Sequence, residues 1–131
     1  YCHLYIDILS PEGPLSANLE EATDDMVRPG IEWMIAGMPQ MQPTELAEVV
    51  TEPLELELTG PGGGTWTIQP AGEDGLISVA PRANLGASAT VASTAHNFVS
   101  WGTKRSDWRT TCVIDGDENY AASVLDTINI I

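Results

Sequence analysis

Basic residues are scarce in this chain. Against 19 Asp and Glu stand only five Lys and Arg, a formal net charge of −14 over 131 residues. Nucleic acid and anionic membrane both repel such a surface, so neither is expected as a partner. Histidine is nearly missing, with two in the chain, and a tetrahedral zinc site needs three or four ligands. The two cysteines, Cys2 and Cys112, set no disulfide framework. Cys112 is expected as a buried thiol in its strand and Cys2 as incidental; free thiols suit a cytoplasmic protein. No apolar run approaches the length of about 18 residues that a membrane span requires. Gly-x-Ser-x-Gly, His-Glu-x-x-His and Cys-x-x-Cys are all missing, and no catalytic constellation stands alone. The run Gly60-Pro61-Gly62-Gly63-Gly64 is followed by neither Lys-Ser/Thr nor a helix. It is therefore a turn and not a phosphate cradle.

What is present is enough for one folded domain. Hydrophobic residues make up 43% of the chain, which argues against disorder. The acid excess is lopsided. Residues 1–58 hold twelve acids and one base, Arg28, while residues 59–131 hold seven acids and four bases. The plain reading is a solvated acidic surface; a salt-adapted organism or a basic partner are the sharper ones.

The segment Tyr1–Leu9 is apolar with two polar insertions, and His3 and Asp7 share a face whether it is helix or strand. Ser10-Pro11-Glu12-Gly13-Pro14 breaks regular structure and reads as a linker. That divides the chain into an N-terminal segment over 1–14 and a domain over 15–131. The chain starts at Tyr1 with no basic-then-apolar leader, and is read as processed, trimmed or a fragment. Thr23-Asp24-Asp25 clusters cap residues before Val27, Ile31, Met34, Ile35 and Met38, an amphipathic stripe. Pro29 conflicts with a long helix: either the helix starts near Asp25, with Pro29 in its first turn, or a kink falls there. The Met-rich face reads as core, or else as a pliable pocket lining. Thr44–Val50 is ambiguous.

Leu54-Glu55-Leu56-Glu57-Leu58 alternates strictly, a strand with one wet face. After the glycine turn, Thr65–Gln69 returns as its hairpin partner, and Leu76–Ala80 is a third strand ended by Pro81. Ala87–Val91 alternates small apolar and hydroxyl residues, a fourth strand. Ser93-Thr94 can cap a helix carrying Ala95, Phe98 and Val99, with Gly102 in the left-handed turn that ends it. Thr110–Ile114 is a β-branched run and the fifth strand. Asp117 caps a last helix with the stripe Ala121, Val124, Leu125 and Ile128. Hairpins first and crossovers later predict an α+β fold: a mixed sheet of about five strands with helices on one face.

The closing order of helix, Trp101-Gly102, charged loop, strand, Asp115-Gly116-Asp117 and amphipathic helix resembles that of sterol-carrier-protein-like domains. It is most similar to the version at the C-terminus of the mycothiol-dependent maleylpyruvate isomerase family, actinobacterial enzymes with a DinB-like helical N-terminal domain. The resemblance implies an apolar tunnel between sheet and helices. It also implies zinc and mycothiol for the full-length family, held by the helical domain, with neither in this chain. In that family a histidine ligating zinc is followed shortly by an aspartate, and His3 and Asp7 resemble the remnant of that segment. Here they stand as His-x-x-x-Asp against the family's His-x-x-Asp, and the upstream ligands would precede residue 1. No metal site is assigned.

One cluster stands out on chemistry. Lys104, Arg105 and Arg109 fall within six residues of an acidic chain and are bordered by Trp101 and Trp108. Guanidinium groups bind carboxylates bidentately and indoles stack on planar groups, so these five are the candidate ligand-binding residues. The plainer alternative is a solvated loop whose arginines pair with acids such as Asp107. Two functional expectations follow. The first is a substrate-shaping C-terminal domain of a zinc-containing, mycothiol-dependent isomerase or transferase, inactive alone and partnered by an upstream helical domain. The second is a self-standing module that binds a lipid or another small apolar or anionic molecule.

Overall fold

A computed structural model describes residues 23–81 and 86–130. His3, Asp7, Cys2 and the N-terminal segment expected over 1–14 lie outside those residues. At the centre is β1 (Leu54–Thr59), where Leu54, Leu56 and Leu58 are buried and Glu57 is exposed. β2 (Gly64–Gln69) runs antiparallel to it, with Leu56 opposite Trp66. β3 (Ser78–Ala80) is a three-residue edge strand antiparallel to β2. On the other side β4 (Ala89–Thr94) runs parallel to β1, with Leu56 opposite Val91, and β5 (Val113–Gly116) closes the sheet antiparallel to β4. The order is β3-β2-β1-β4-β5, the mixed five-stranded sheet expected.

Among the described residues, four α-helices pack on the leucine face. α1 (Asp24–Gly37) buries Val27, Ile31, Met34 and Ile35, and a 3₁₀ turn at Met38–Gln40 adds Met38. Pro29 is the sixth residue of α1, in its second turn and inside the helix, and costs it one interior hydrogen bond. The ambiguous 44–50 stretch is α2 (Pro43–Val49), with Leu46 buried. α3 (Ala95–Gly102) is capped by Thr94, whose Oγ1 accepts from Asn97 N at 3.0 Å. α4 (Glu118–Thr127) is capped by Asp117, whose carboxylate accepts from Tyr120 N at 3.1 Å. Phe98 and Trp101 from α3, Leu125 from α4 and the β1 leucines are all 1% exposed or less except Leu58, at 3%. None of the helices is long and apolar enough to cross a membrane among the described residues.

Four local expectations need correction. Ser93 belongs to β4, and Thr94 alone is the cap. The third strand begins at Ser78 and not Leu76, because Leu76 is held in a turn: its N–H donates to Asp74 and its carbonyl accepts from Gly72 N. The fifth strand begins at Val113 and not Thr110. Asp107 takes the N–H of Arg109 on its side chain and the hydroxyl of Thr110 on its carbonyl, winding Trp108–Thr110 into a 3₁₀ turn that overrides β-branched propensity. Cys112 is consequently half-buried just ahead of β5, and burial pushes its thiol up to about 11. Finally, the left-handed residue after α3 is Lys104, with φ 60°. Gly102 is there for packing: a Cβ would sit 3.0 Å from the Met34 methyl of α1.

Candidate functional site

The charged loop after α3 is fastened to the end of α4 by one carboxylate. Asp126 accepts from Arg109 at 2.7 and 2.9 Å, a bidentate pair, and from the Trp108 indole N–H at 2.9 Å. Lys104 Nζ donates 2.8 Å to the Asp126 carbonyl. The Arg109 guanidinium lies 4.3 Å over the Trp108 ring. Arg105 sits in the same turn, its backbone N–H donating 2.9 Å to Ser100 O. α4 has no basic residue in its last turn; Lys104 and Arg109 supply cations there from outside, where the helix dipole favours them. Trp101 is turned away into the core, with its Nε1–H donating 3.1 Å to Ser93 Oγ. Of the five candidate residues, then, Lys104, Trp108 and Arg109 converge on Asp126, Arg105 stands beside them, and Trp101 faces inward.

Arg109 and Trp108 hold the Asp126 carboxyl down at about 2 from an ordinary 3.8. A depressed carboxylate stabilises the fold above its unfolded value and loses that contribution as pH falls through the folded one. Half of the Asp126 side chain is exposed, so solvent screening leaves about 1 kcal/mol. Asp126→Asn is expected to cost that much at neutral pH in urea denaturation. The gap to wild type should close as pH falls from 3.8 through about 2. A gap independent of pH would show that the pair contributes no charge-dependent stability.

A second feature lies at the opposite edge of the sheet. β3 is short, and α1 does not cover the strip of sheet between it and β2. The result is a groove of about 490 Å³, within the range of about 300–1,000 Å³ common for small-molecule sites. Its floor is apolar: Ile35 from α1, Trp66 from β2, Val79 from β3 and Pro81 after it. Ile35 and Trp66 are 7% and 8% exposed, the least tightly covered of the α1 and β2 core residues. Gly63 and Gly64 line the near wall, and a Cβ on Gly64 would lie 2.9 Å from the Trp66 ring, so the missing side chain makes room for that indole. Arg28, Glu32 and Ala36 from α1, with Thr65, form the rim. Beside it α1 exposes Trp33 at 63% and Met26 at 44%.

α1 is tied to the glycine turn before β2. Asp24 takes Arg28 in two bonds of 2.7 and 2.8 Å and the N–H of Gly62 at 2.7 Å, while Arg28 also reaches Gly63 O at 3.4 Å. Sequence reasoning treated the glycine run as a turn only. The one signal for the groove was three glycines set one residue ahead of a strand tryptophan.

Among the described residues, no three His, Cys, Asp or Glu side chains gather as a metal site would require; His96 is exposed on α3. No protein-family model matches the chain, and no curated protein sequence matches it. Solved structures do. Sterol carrier protein domain 2 of Helicoverpa armigera is 14% identical, with 86% of this chain and 91% of that one covered at a TM-score of 0.53. A ubiquinone synthesis protein, UbiJ, is 15% identical over 84% of this chain and 94% of its own, with a TM-score of 0.52. A stereoselective inverting sec-alkylsulfatase from Pseudomonas sp. is 14% identical over 84% of this chain but only 17% of its own length, with a TM-score of 0.53. The chain therefore has the sterol carrier protein 2 fold, α+β with a five-stranded mixed sheet.

Proposed function

We propose that this chain is a binding module for a small apolar molecule, seated in the groove between α1 and the β2–β3 edge. The apolar floor of Ile35, Trp66, Val79 and Pro81 carries this reading. The names of the fold neighbours, a sterol carrier protein domain and a ubiquinone synthesis protein, support it. In this reading the module acts in the cytoplasm without a cofactor of its own, and the Asp126-centred loop serves as a fastener rather than a ligand contact.

Ala36 makes a clean test, because it is an exposed wall residue on α1. Ala36→Glu sets a carboxylate against the apolar floor, where it loses solvation. The wild type should bind a neutral fluorescent alkyl probe, and the variant should bind it at least about tenfold more weakly, or about 1.4 kcal/mol. A wild-type chain that binds no such probe would sink the proposal.

A second reading has one specific observation in its favour. In the alkylsulfatase this fold makes up 17% of a larger enzyme. By analogy the chain would be the substrate-shaping part of a longer protein, as in the mycothiol-dependent isomerases it resembles, with zinc and mycothiol held by a helical domain. Both readings put the apolar substrate in the same groove.

A further inference from the structure

We propose that the groove discriminates among amphiphiles by the charge of their polar end, accepting neutral and cationic heads and rejecting anionic ones. This rests on the groove being the apolar binding site. Asp24, Arg28 and Glu32 succeed one another at four-residue steps along α1, so all three lie on the groove side of that helix. The one described cation at the rim is already engaged. Two of its bonds go to Asp24, at 2.7 and 2.8 Å, and a third reaches the Gly63 carbonyl at 3.4 Å. Arg28 therefore acts as a clamp across the turn, its charge balanced at close range by the Asp24 carboxylate. Glu32 lines the groove; among the described residues no side chain donates a hydrogen bond to it or pairs with it within ion-pair distance. Asp25, exposed on the first turn, adds a second negative charge. The sum over Asp24, Asp25, Arg28 and Glu32 is −2, within a chain of net charge −14. An anionic head placed beside Glu32 meets like charge, and Arg28, the described cation at this rim, is already paired with Asp24, whereas an ammonium or hydroxyl head finds an acceptor.

The test is competition by dodecanol, dodecylamine and dodecanoate, below micelle formation at neutral pH, against a neutral fluorescent alkyl probe. All three bring the same chain to the same apolar floor, so only the head differs. Dodecanoate should bind at least about tenfold more weakly than dodecylamine at low salt, and the difference should shrink at about 0.5 M salt, where screening is strong. Glu32→Lys should invert the order. Asp24→Asn keeps an acceptor for Gly62 N but releases the Arg28 charge, and should strengthen dodecanoate binding selectively. If none of the three displaces the probe, the binding reading fails and the discrimination with it. Equal binding, or dodecanoate binding best, would leave the binding reading intact and overturn the charge rule. An unchanged order in Glu32→Lys would also overturn it, by moving the discrimination away from this rim.

Discussion

Trp101→Ala is expected to destabilise the domain by about 3–5 kcal/mol, the usual range for truncating a buried tryptophan. Trp101 is the largest side chain fully buried, at 1% exposure. It packs edge-on against Phe98, with ring centroids 5.1 Å apart and an interplanar angle of 72°, an arrangement that adds to area burial. Its indole N–H donates to Ser93 on β4 at 3.1 Å, so a single side chain ties α3 to the sheet. Alanine leaves a void that the backbone on either side cannot close. Trp101→Phe keeps most of the apolar volume and forfeits the Ser93 bond, worth about 1 kcal/mol. It should therefore fall well short of the alanine variant. Urea denaturation followed by far-UV circular dichroism separates the two. Domains of this size have about 5–15 kcal/mol in all, so the alanine variant should show a large drop in midpoint. A loss below about 1 kcal/mol would mean that Trp101 is not the tie between α3 and the sheet.

The same residue shows what a sequence discloses and what it withholds. Trp101-Gly102 stood out as a pair, and both residues matter, but for reasons set by tertiary contact. Trp101 looked like a border of the charged loop because it is three residues from Lys104; in the fold its side chain turns into the core. Gly102 looked like a left-handed stop, yet its missing side chain makes room for Met34, 68 residues earlier in the chain. The Leu-Glu alternation of β1 was legible because a period of two on a half-buried strand has no competing reading. The Asp117 cap was legible because a cap is local. Arg109 was expected to pair with a neighbouring acid such as Asp107, and that contact does exist at 3.7 Å, but the close bidentate partner is Asp126, 17 residues on. The groove was the least legible part. Its walls come from residues 28–36, 63–66 and 79–81, and no local period links three stretches that far apart. Its depth depends on β3 being only three residues long, and that followed from the Asp74–Leu76 turn rather than from the apolar run of 76–80.

Gly116→Ala should cost about 2–4 kcal/mol, for two reasons that act together. Gly116 has φ 103°, a conformation L residues rarely adopt. A Cβ there would lie 2.6 Å from Ser88 O and 3.0 Å from Ala89 Cα. Those are backbone atoms at the start of β4, the strand that Gly116 pairs with, and of the residue just before it, and no rotamer change relieves the clash. The Asp117 N–H donates 3.1 Å to the same Ser88 carbonyl, so retreating from the clash breaks the bond that turns the chain from β5 into α4. Gly75 isolates the first reason from the second. It has φ 76° and nothing within 4 Å of a built Cβ, so Gly75→Ala should show only the conformational cost of about 1–2 kcal/mol. The excess of Gly116→Ala over Gly75→Ala, read from the same denaturation curves, measures the close approach of β5 to β4. Equal costs for the two variants would show that the sheet edge yields to the methyl group. An excess of about 1 kcal/mol or more would give the Asp115-Gly116-Asp117 sequence a physical meaning: the acid that caps α4 can follow β5 directly only if the strand's last residue has no side chain.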